Sequence, residues 1–347
     1  MPDLPASQRS ARVPDLAAKV AFLSQPASYP EHGIRLETIE THMSWLFLTG
    51  QHVYKLKKPF HHDIIDYRSA GARQRCCELE FRLNQRLAAD VYLGVVPLTC
   101  DRAGRLALAG RGQRIDSLVK MRRLASHLTL EHRIRHGLFD AADARGIIRR
   151  LVPFFADAAR SRWTPAGYKR HLARLIGVAA SELSRREFGL DRQLVEAVAA
   201  GLREGIKTHG GLLDVRVRDG RIVEGHGDLR PEHIYLTQPP TIIDCIEFDR
   251  ALRTRDPLDE LSFLVMECER LGEPASDEWL FDAYRELGDD APPRPLIELH
   301  KAQNALVRAK VAIWHLDDPD TGARAPWVAR ANGYLKIARR VLARMNG

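Results

Sequence analysis

The stretch HGDLRPEHIYLTQPPTIIDCIEF, residues 226 to 248, constrains this chain more than any other. A polar octet leads into a short apolar run, Ile234, Tyr235 and Leu236. Pro239 and Pro240 then impose a turn, and a second apolar run, Thr241, Ile242 and Ile243, ends at Asp244. Two such runs around a proline turn predict an antiparallel hairpin, because proline presets φ for the turn and cannot donate into a ladder. Antiparallel pairing aligns residues about equidistant from the turn, so Asp244 returns toward the end from which Asp228 departs. Two converging carboxylates can divide labour: one hydrogen-bonds an attacking hydroxyl while the other holds a hard divalent cation through oxygen.

The 347-residue chain changes texture once. Residues 34 to 58 are rich in β-branched and aromatic residues punctuated at THMS and TGQH, which predicts three strands with tight connections. Cys76, Leu79, Leu83 and Leu87 recur at helical spacing after Ser69, a plausible cap. YLGVVPLTCDRAGRLALAG and IDSLVKMRRL predict two or three more strands around a glycine turn. The first 123 residues therefore read as a small sheet with one helix, after an irregular start to about residue 30. Beyond a hinge near Arg122 to Ala125, residues 127 to 207 are amphipathic and broken at Pro153, Pro165 and Gly189, so helices dominate. Strand character returns only in LLDVRVRDGRIVEGH and in the opening stretch, and helices resume from 256, the last near 326 to 345. The plan is α+β: a sheet lobe over 1–123, a helical lobe over 124–347, and a cleft between them.

Composition narrows the function classes. The first thirty residues lack the continuous apolar region of a secretory signal, and no run approaches bilayer length, so a cytoplasmic protein without a membrane partner is expected. Five cysteines without a CxxC pair read as reduced thiols. The net charge of +8 suits an anionic partner. Residues 102 to 135 are strongly basic, but they lack the interleaved aromatics of a base-stacking platform, which argues against a nucleic-acid partner. Residues 267 to 290 are strongly acidic. Either run also reads as a solvated face.

HGDLRPEH resembles the catalytic loop of the protein-kinase-like superfamily, which reads HRDLKPEN in protein kinases and HGDxxxxN in aminoglycoside and choline phosphotransferases. IIDCIEF is similar to the strand that supplies the metal-binding Asp, and RDPLDELSFL, with Asp256 and Asp259, to the segment GDPxxDLA. VYK resembles the VAIK strand, and ELEFRLNQRL the helix after it. The similarity runs from about 34 to 265. More narrowly, VYKLKKP, RLNQRLAADVYLGVVPL and HGDLRPEHI resemble an uncharacterised bacterial aminoglycoside-phosphotransferase-like family. Some members of that family carry an extra P-loop kinase domain; this sequence holds no GxxxxGK[ST].

The resemblance implies a bilobal kinase-like fold and an ATP-dependent phosphotransferase with magnesium, acting on a small-molecule hydroxyl. It implies a catalytic set of Asp228, which orients and deprotonates the acceptor, with Arg230 clamping the γ-phosphate and His226 bracing the loop. Nucleotide binding falls to Lys55 held by Glu80, to Ser44 in the turn that replaces the Gly-rich loop, and to Met121. The metal falls to Asp244 with His233. The scheme requires the carboxylates of Asp228 and Asp244 to meet, facing Lys55. His233 stands where the superfamily has Asn, and imidazole nitrogen suits manganese better than magnesium. Either His233 shifts the metal preference, or it binds no metal and the chain is a nucleotide-binding pseudokinase. Lys57 competes with Lys55, and Glu78 with Glu80, for their roles. Glu247 either joins the metal shell or is solvated. His61, His62 and Asp63 read as a loop. The acceptor stays open: the acidic run favours a cation and the basic total an anion.

Overall fold

The runs rich in β-branched and aromatic residues form the three expected strands, β1 (Glu37–Glu40), β2 (Ser44–Leu48) and β3 (His52–Lys57), in a computed structural model that describes residues 14–31, 35–62, 65–317 and 322–345. The turns between them close on threonine: the Thr41 and Thr49 hydroxyls accept from the N–H groups of Ser44 and His52, each at 3.0 Å. The chain divides into two compact units, Met1–Leu124 with Glu247–Asp249 and Ala125–Ile246 with Arg250–Gly347.

In the first unit, β6 (Tyr92–Cys100), β7 (Leu106–Leu108) and β8 (Gln113–Arg122) complete a six-stranded sheet ordered β1-β2-β3-β8-β6-β7, antiparallel at every pairing. Period-two alternation divides β3 between two environments. Tyr54 and Leu56 enter a core with Phe47, Leu98, Ile115 and Leu118, while Lys55 and Lys57 reach Glu80 on α2 (Ala70–Ala88). The Ser69 hydroxyl caps α2 by accepting from the Ala72 N–H at 3.1 Å.

Two expectations fail in this unit. Residues 16–23, assigned to an irregular start, form α1 (Leu16–Leu23), capped by Asp15. Its Leu16, Val20 and Leu23 lie one helical turn apart and pack on the Phe47–Tyr54 core, a periodicity the surrounding prolines and serines obscured. His61–His62, taken as a loop, is a short strand β4 paired with β5 (Ile65–Asp66); Asp63 lies outside the described residues.

The second unit is mainly helical: α3 (Leu130–Arg135), α4 (Ala141–Asp157), α5 (Pro165–Leu183), α6 (Arg192–Thr208), α7 (Gly210–Arg218), α8 (Arg250–Arg253), α9 (Pro257–Arg270), α10 (Ser276–Leu287), α11 (Arg294–Trp314) and α12 (Ala325–Met345). Helix α11 packs against α5, α6, α9 and α12. Every residue of α9 from Pro257 to Cys268 is buried, as is every residue of α11 from Leu296 to Leu306, as helices inside a bundle require. Pro165 opens α5 and Gly189 takes a positive φ of 67° between helices, as expected of breakers.

Pro153, by contrast, lies inside α4. Burial of Ile147, Ile148, Leu151, Phe154 and Phe155 along one face outweighs the cost of about 3 kcal/mol for its missing hydrogen bond. LLDVRVR is likewise helix α7 rather than strand. Gly210, Leu213 and Arg216 are buried three residues apart while Val215 is 46% exposed, so burial follows the helical period and not the alternation of apolar residues. The hairpin forms as expected, β10 (Ile234–Tyr235) pairing with β11 (Thr241–Ile242), with Ile234 opposite Ile242. Strand β9 (Val223–Glu224) pairs with β12 (Thr254–Arg255) beneath the polar loop.

Candidate active site

The loop before the hairpin is held by backbone hydrogen bonds to buried side chains. Glu260, at the start of α9, places Oε1 2.8 Å from the N–H groups of both His226 and Gly227. Gly227 has φ = 87°, and a Cβ there would lie 3.0 Å from the Arg253 backbone, which explains the glycine of His-Gly-Asp. His226 is fully buried; its Nε2 donates to the Ile243 carbonyl at 2.9 Å and its Nδ1 accepts from the Asp228 N–H at 3.3 Å. Burial pushes its pKa down to about 4. His226 therefore ties the loop to the strand end as a neutral ring.

Asp228 and Asp244 converge on His233. Its Nδ1 donates to the Asp228 carbonyl at 2.9 Å and lies 3.6 Å from the Asp228 carboxylate, and its Nε2 lies 3.5 Å from Asp244 Oδ2. Asp244 has φ = 64°, a left-handed backbone that is uncommon outside glycine, and its side chain is 40% exposed. A strained residue at the end of a strand, turned so that its carboxylate emerges, is common where a side chain must be aimed. Burial works to raise the Asp228 pKa, but the guanidinium of Arg230 beside it holds the carboxyl below its usual range, so it is ionised.

Arg230 grips Asp228 rather than projecting outward, with Nε 3.0 Å and Nη2 2.9 Å from Oδ2. Its Nη1 binds Glu232 at 2.5 Å, and its Nη2 donates to His233 Nε2 at 3.1 Å. Because Nδ1 carries the proton, the Nε2 lone pair of His233 is the one that faces Asp244, and Arg230 already occupies it. Oxygen donors for a hard cation therefore come from Asp244, and His233 joins them only if Arg230 withdraws. Among the described residues, no group of three or more His, Cys, Asp or Glu is arranged to hold a metal. An ion held by one or two carboxylates and by substrate phosphates needs no such cage.

In the first unit both competing lysines reach one carboxylate. Lys55 Nζ is 2.9 Å from Glu80 Oε1 and Lys57 Nζ is 2.5 Å from Oε2. Lys57 also binds Glu247 at 2.5 Å and is 2% exposed, whereas Lys55 is 16% exposed, so Lys55 is the more accessible ammonium. Glu247 is buried rather than solvated, bound to Lys57 and to the Tyr67 hydroxyl at 3.1 Å. Burial opposes the charge on Lys57, but Glu247 and Glu80 hold its pKa well above the ordinary value. Glu78 is instead bound by the amide of Gln74 at 2.8 Å. Ser44 is 3% exposed at the head of β2, opposite Lys57, so its side chain is not presented at the turn as the phosphate assignment required. Met121 is buried in β8 opposite Val53.

The remaining motif residues are structural. Asp256 caps α9 and takes a two-pronged contact from Arg216, at 2.6 and 2.8 Å, while Asp259 binds Arg255 and Asn304. The acidic run of 267–290 is largely spent on cations: Glu267 on Arg270, Glu269 on Lys301, Asp277 on Arg294, Asp282 on Arg285, Glu286 on Arg145 and Asp290 on Arg216. No helix among the described residues is long and apolar enough to cross a membrane.

No family model matches the chain. An uncharacterized protein of Mycobacterium tuberculosis is 30% identical over 279 residues, covering 80% of this chain, which spans 54% of that relative's length. Among solved structures, a choline/ethanolamine kinase family protein of Mesorhizobium loti covers 94% of this chain and 93% of its own, with a TM-score of 0.54 and 16% identity. A choline kinase of Cryptosporidium parvum covers 93% of both chains with a TM-score of 0.53 and 10% identity. Likeness of this extent at such low identity is a statement about fold alone. The chain has the α+β fold of these two structures, a sheet unit with one long helix followed by a mainly helical unit.

Proposed function

We propose that the protein is an ATP-dependent phosphotransferase that moves the γ-phosphoryl group to a hydroxyl of a small molecule. The observation that carries this reading is the convergence of Asp228 and Asp244 on His233, at 3.6 and 3.5 Å. Asp228, held ionised, accepts a hydrogen bond from the acceptor hydroxyl and takes its proton as the new O–P bond forms and the bond to the β-phosphate oxygen breaks. Asp244 supplies carboxylate oxygens to magnesium, whose chemistry when bound is neutralisation of phosphate charge. Lys55, oriented by Glu80, grips the nucleotide phosphates, and Lys57 is the buried brace that fixes Glu80. Catalysis in this scheme is positioning and charge complementarity.

Asp228→Asn tests the assignment. The amide keeps the shape but cannot take the proton, so phosphoryl transfer falls by a factor on the order of 10²–10⁴ while nucleotide binding, measured by calorimetry, persists. Transfer at near the wild-type rate refutes the role given to Asp228. One observation favours a second reading, a nucleotide-binding sensor without transfer: Arg230 already occupies both Asp228 and the lone pair of His233. Absence of ADP release with magnesium or manganese across a broad metabolite panel, with nucleotide binding intact, decides for the sensor.

A further inference from the structure

Away from the HGD loop, histidines gather on α3 and the turn before it. His132 lies within α3, and His136 caps its C-terminal end four residues later. That spacing puts both side chains on one face of the helix. Their rings stack, with centroids 3.9 Å apart and planes inclined at 25°. His127, in the turn Ser126–Leu128, stands edge-on to His132 with its centroid 6.5 Å away. The His136 ring is oriented by its own helix, since its Nδ1 donates to the His132 carbonyl at 2.7 Å. A proton on Nδ1 leaves the lone pair on Nε2, so that hydrogen bond fixes the tautomer that ligates through Nε2. The His132 N–H donates to the Thr129 hydroxyl at 3.1 Å, which anchors the backbone beneath both rings.

Two rings placed in this way are close to chelate geometry. Zinc–nitrogen bonds of about 2.0–2.1 Å, meeting at tetrahedral or right angles, place two ligating nitrogens about 3.0–3.4 Å apart. A slight tilt of the exposed His136 brings a ring stacked at 3.9 Å to that separation, whereas His127 at 6.5 Å is too far. Imidazole nitrogen suits zinc, nickel and copper, while magnesium takes oxygen. Nearby positive charge is already matched: Arg133 is paired with Asp143 and Arg135 with Glu131, each at 2.8 Å. Two imidazoles do not make a closed cage, so water completes the shell and the ion stays exchangeable.

We propose that His132 and His136 form a chelate for a divalent transition ion of the zinc, nickel and copper class, separate from the oxygen donors of Asp244. The site does not depend on the phosphotransferase reading. Helix α3 packs against the turn Pro231–His233 and against β10, and Thr129 bridges to Tyr235. An ion that ties the last turn of α3 therefore stiffens the helix that backs the HGD loop.

Calorimetry of the full chain, carrying no histidine tag, uses nickel chloride as the probe in ~10 mM magnesium, which fills oxygen sites. One nickel ion per chain is expected to bind with Kd below ~100 μM and to raise the thermal midpoint. His132→Gln and His136→Gln should each weaken binding at least ~10-fold, because losing even an outer partner of a metal ligand costs about 10–100-fold. Melting curves without nickel should be unchanged in both variants, and His127→Gln should bind as the wild type does. Electron paramagnetic resonance of the copper-loaded wild type should show hyperfine coupling to two imidazole nitrogens, and to one in either variant. Nickel binding undiminished in the His132→Gln, His136→Gln double variant, equal weakening by His127→Gln, or displacement of nickel by magnesium overturns the proposal.

Discussion

Glu260 offers a quantitative test of how the HGD loop is held. Its Oε1 accepts two backbone N–H groups, while its Oε2 is buried without a hydrogen-bond partner. An ionised carboxylate with one unsolvated oxygen is costly, and burial, reinforced by Asp259 and opposed by Arg255, pushes its pKa from 4.5 up to about 7. The folded state then binds the proton more tightly than the unfolded chain. That contribution is complete below pH 4.5 and is lost as pH rises through 7, a difference of about 3 kcal/mol. His226 has the opposite sign. Its pKa falls from 6.5 to about 4, so the unfolded chain binds more protons there and stability rises between those values. In the wild type the two slopes oppose each other over the shared window.

Glu260→Gln keeps the Oε1 acceptor for both N–H groups and removes the titration. The difference in unfolding free energy between variant and wild type should be near zero at pH 4 and grow to about 3 kcal/mol in favour of the variant above pH 7. The variant alone should also show the rising slope of His226. Urea denaturation at a series of pH values, followed by tryptophan fluorescence, measures this directly, since Trp163, Trp279, Trp314 and Trp327 all belong to the helical unit. Wild-type and variant curves that stay parallel from pH 4.5 to 8 would show that Glu260 is ionised throughout and that the account of the loop is wrong.

Lys57→Met strands Glu247 in a buried site and leaves Glu80 with Lys55 alone, so chemical denaturation should register a loss of about 3–5 kcal/mol, well above that of Lys55→Met at the more exposed lysine. Arg230→Ala removes the leading cation that holds the Asp228 carboxyl down, so its pKa rises and the acid limb of the kcat/KM profile moves to higher pH. An unmoved limb would assign that limb to another group. Gly227→Ala places a Cβ at φ = 87° and 3.0 Å from the Arg253 backbone; a loss of about 1–3 kcal/mol is expected, and a neutral effect in thermal melts would mean that the loop has room to shift.

Much of this architecture is local and can be read directly from the chain. The turns at Thr41 and Thr49, the Ser69 cap and the hairpin across Pro239 and Pro240 each depend on residues within a few positions of one another. Backbone stereochemistry and hydrogen bonding act there at short range, so residue type and spacing suffice. The convergence of Asp228 and Asp244 belongs to the same class, because one hairpin sets it. Alternation likewise puts Lys55 and Lys57 on one face of β3, but it cannot choose between them.

That choice belongs to packing. Lys57 becomes a brace because Glu247, 190 residues away, is buried against it. Glu260 reaches the HGD loop across 34 residues, and Arg308 reaches Glu267 from another helix. The acidic run of 267–290 looked like an attractive surface until each partner arginine and lysine was in place, and α7 looked like a strand until burial selected Gly210, Leu213 and Arg216. Charge partners and buried faces are properties of distance in space. Electrostatic coupling and the removal of water depend on which side chains the fold brings together, and chain separation carries no information about either.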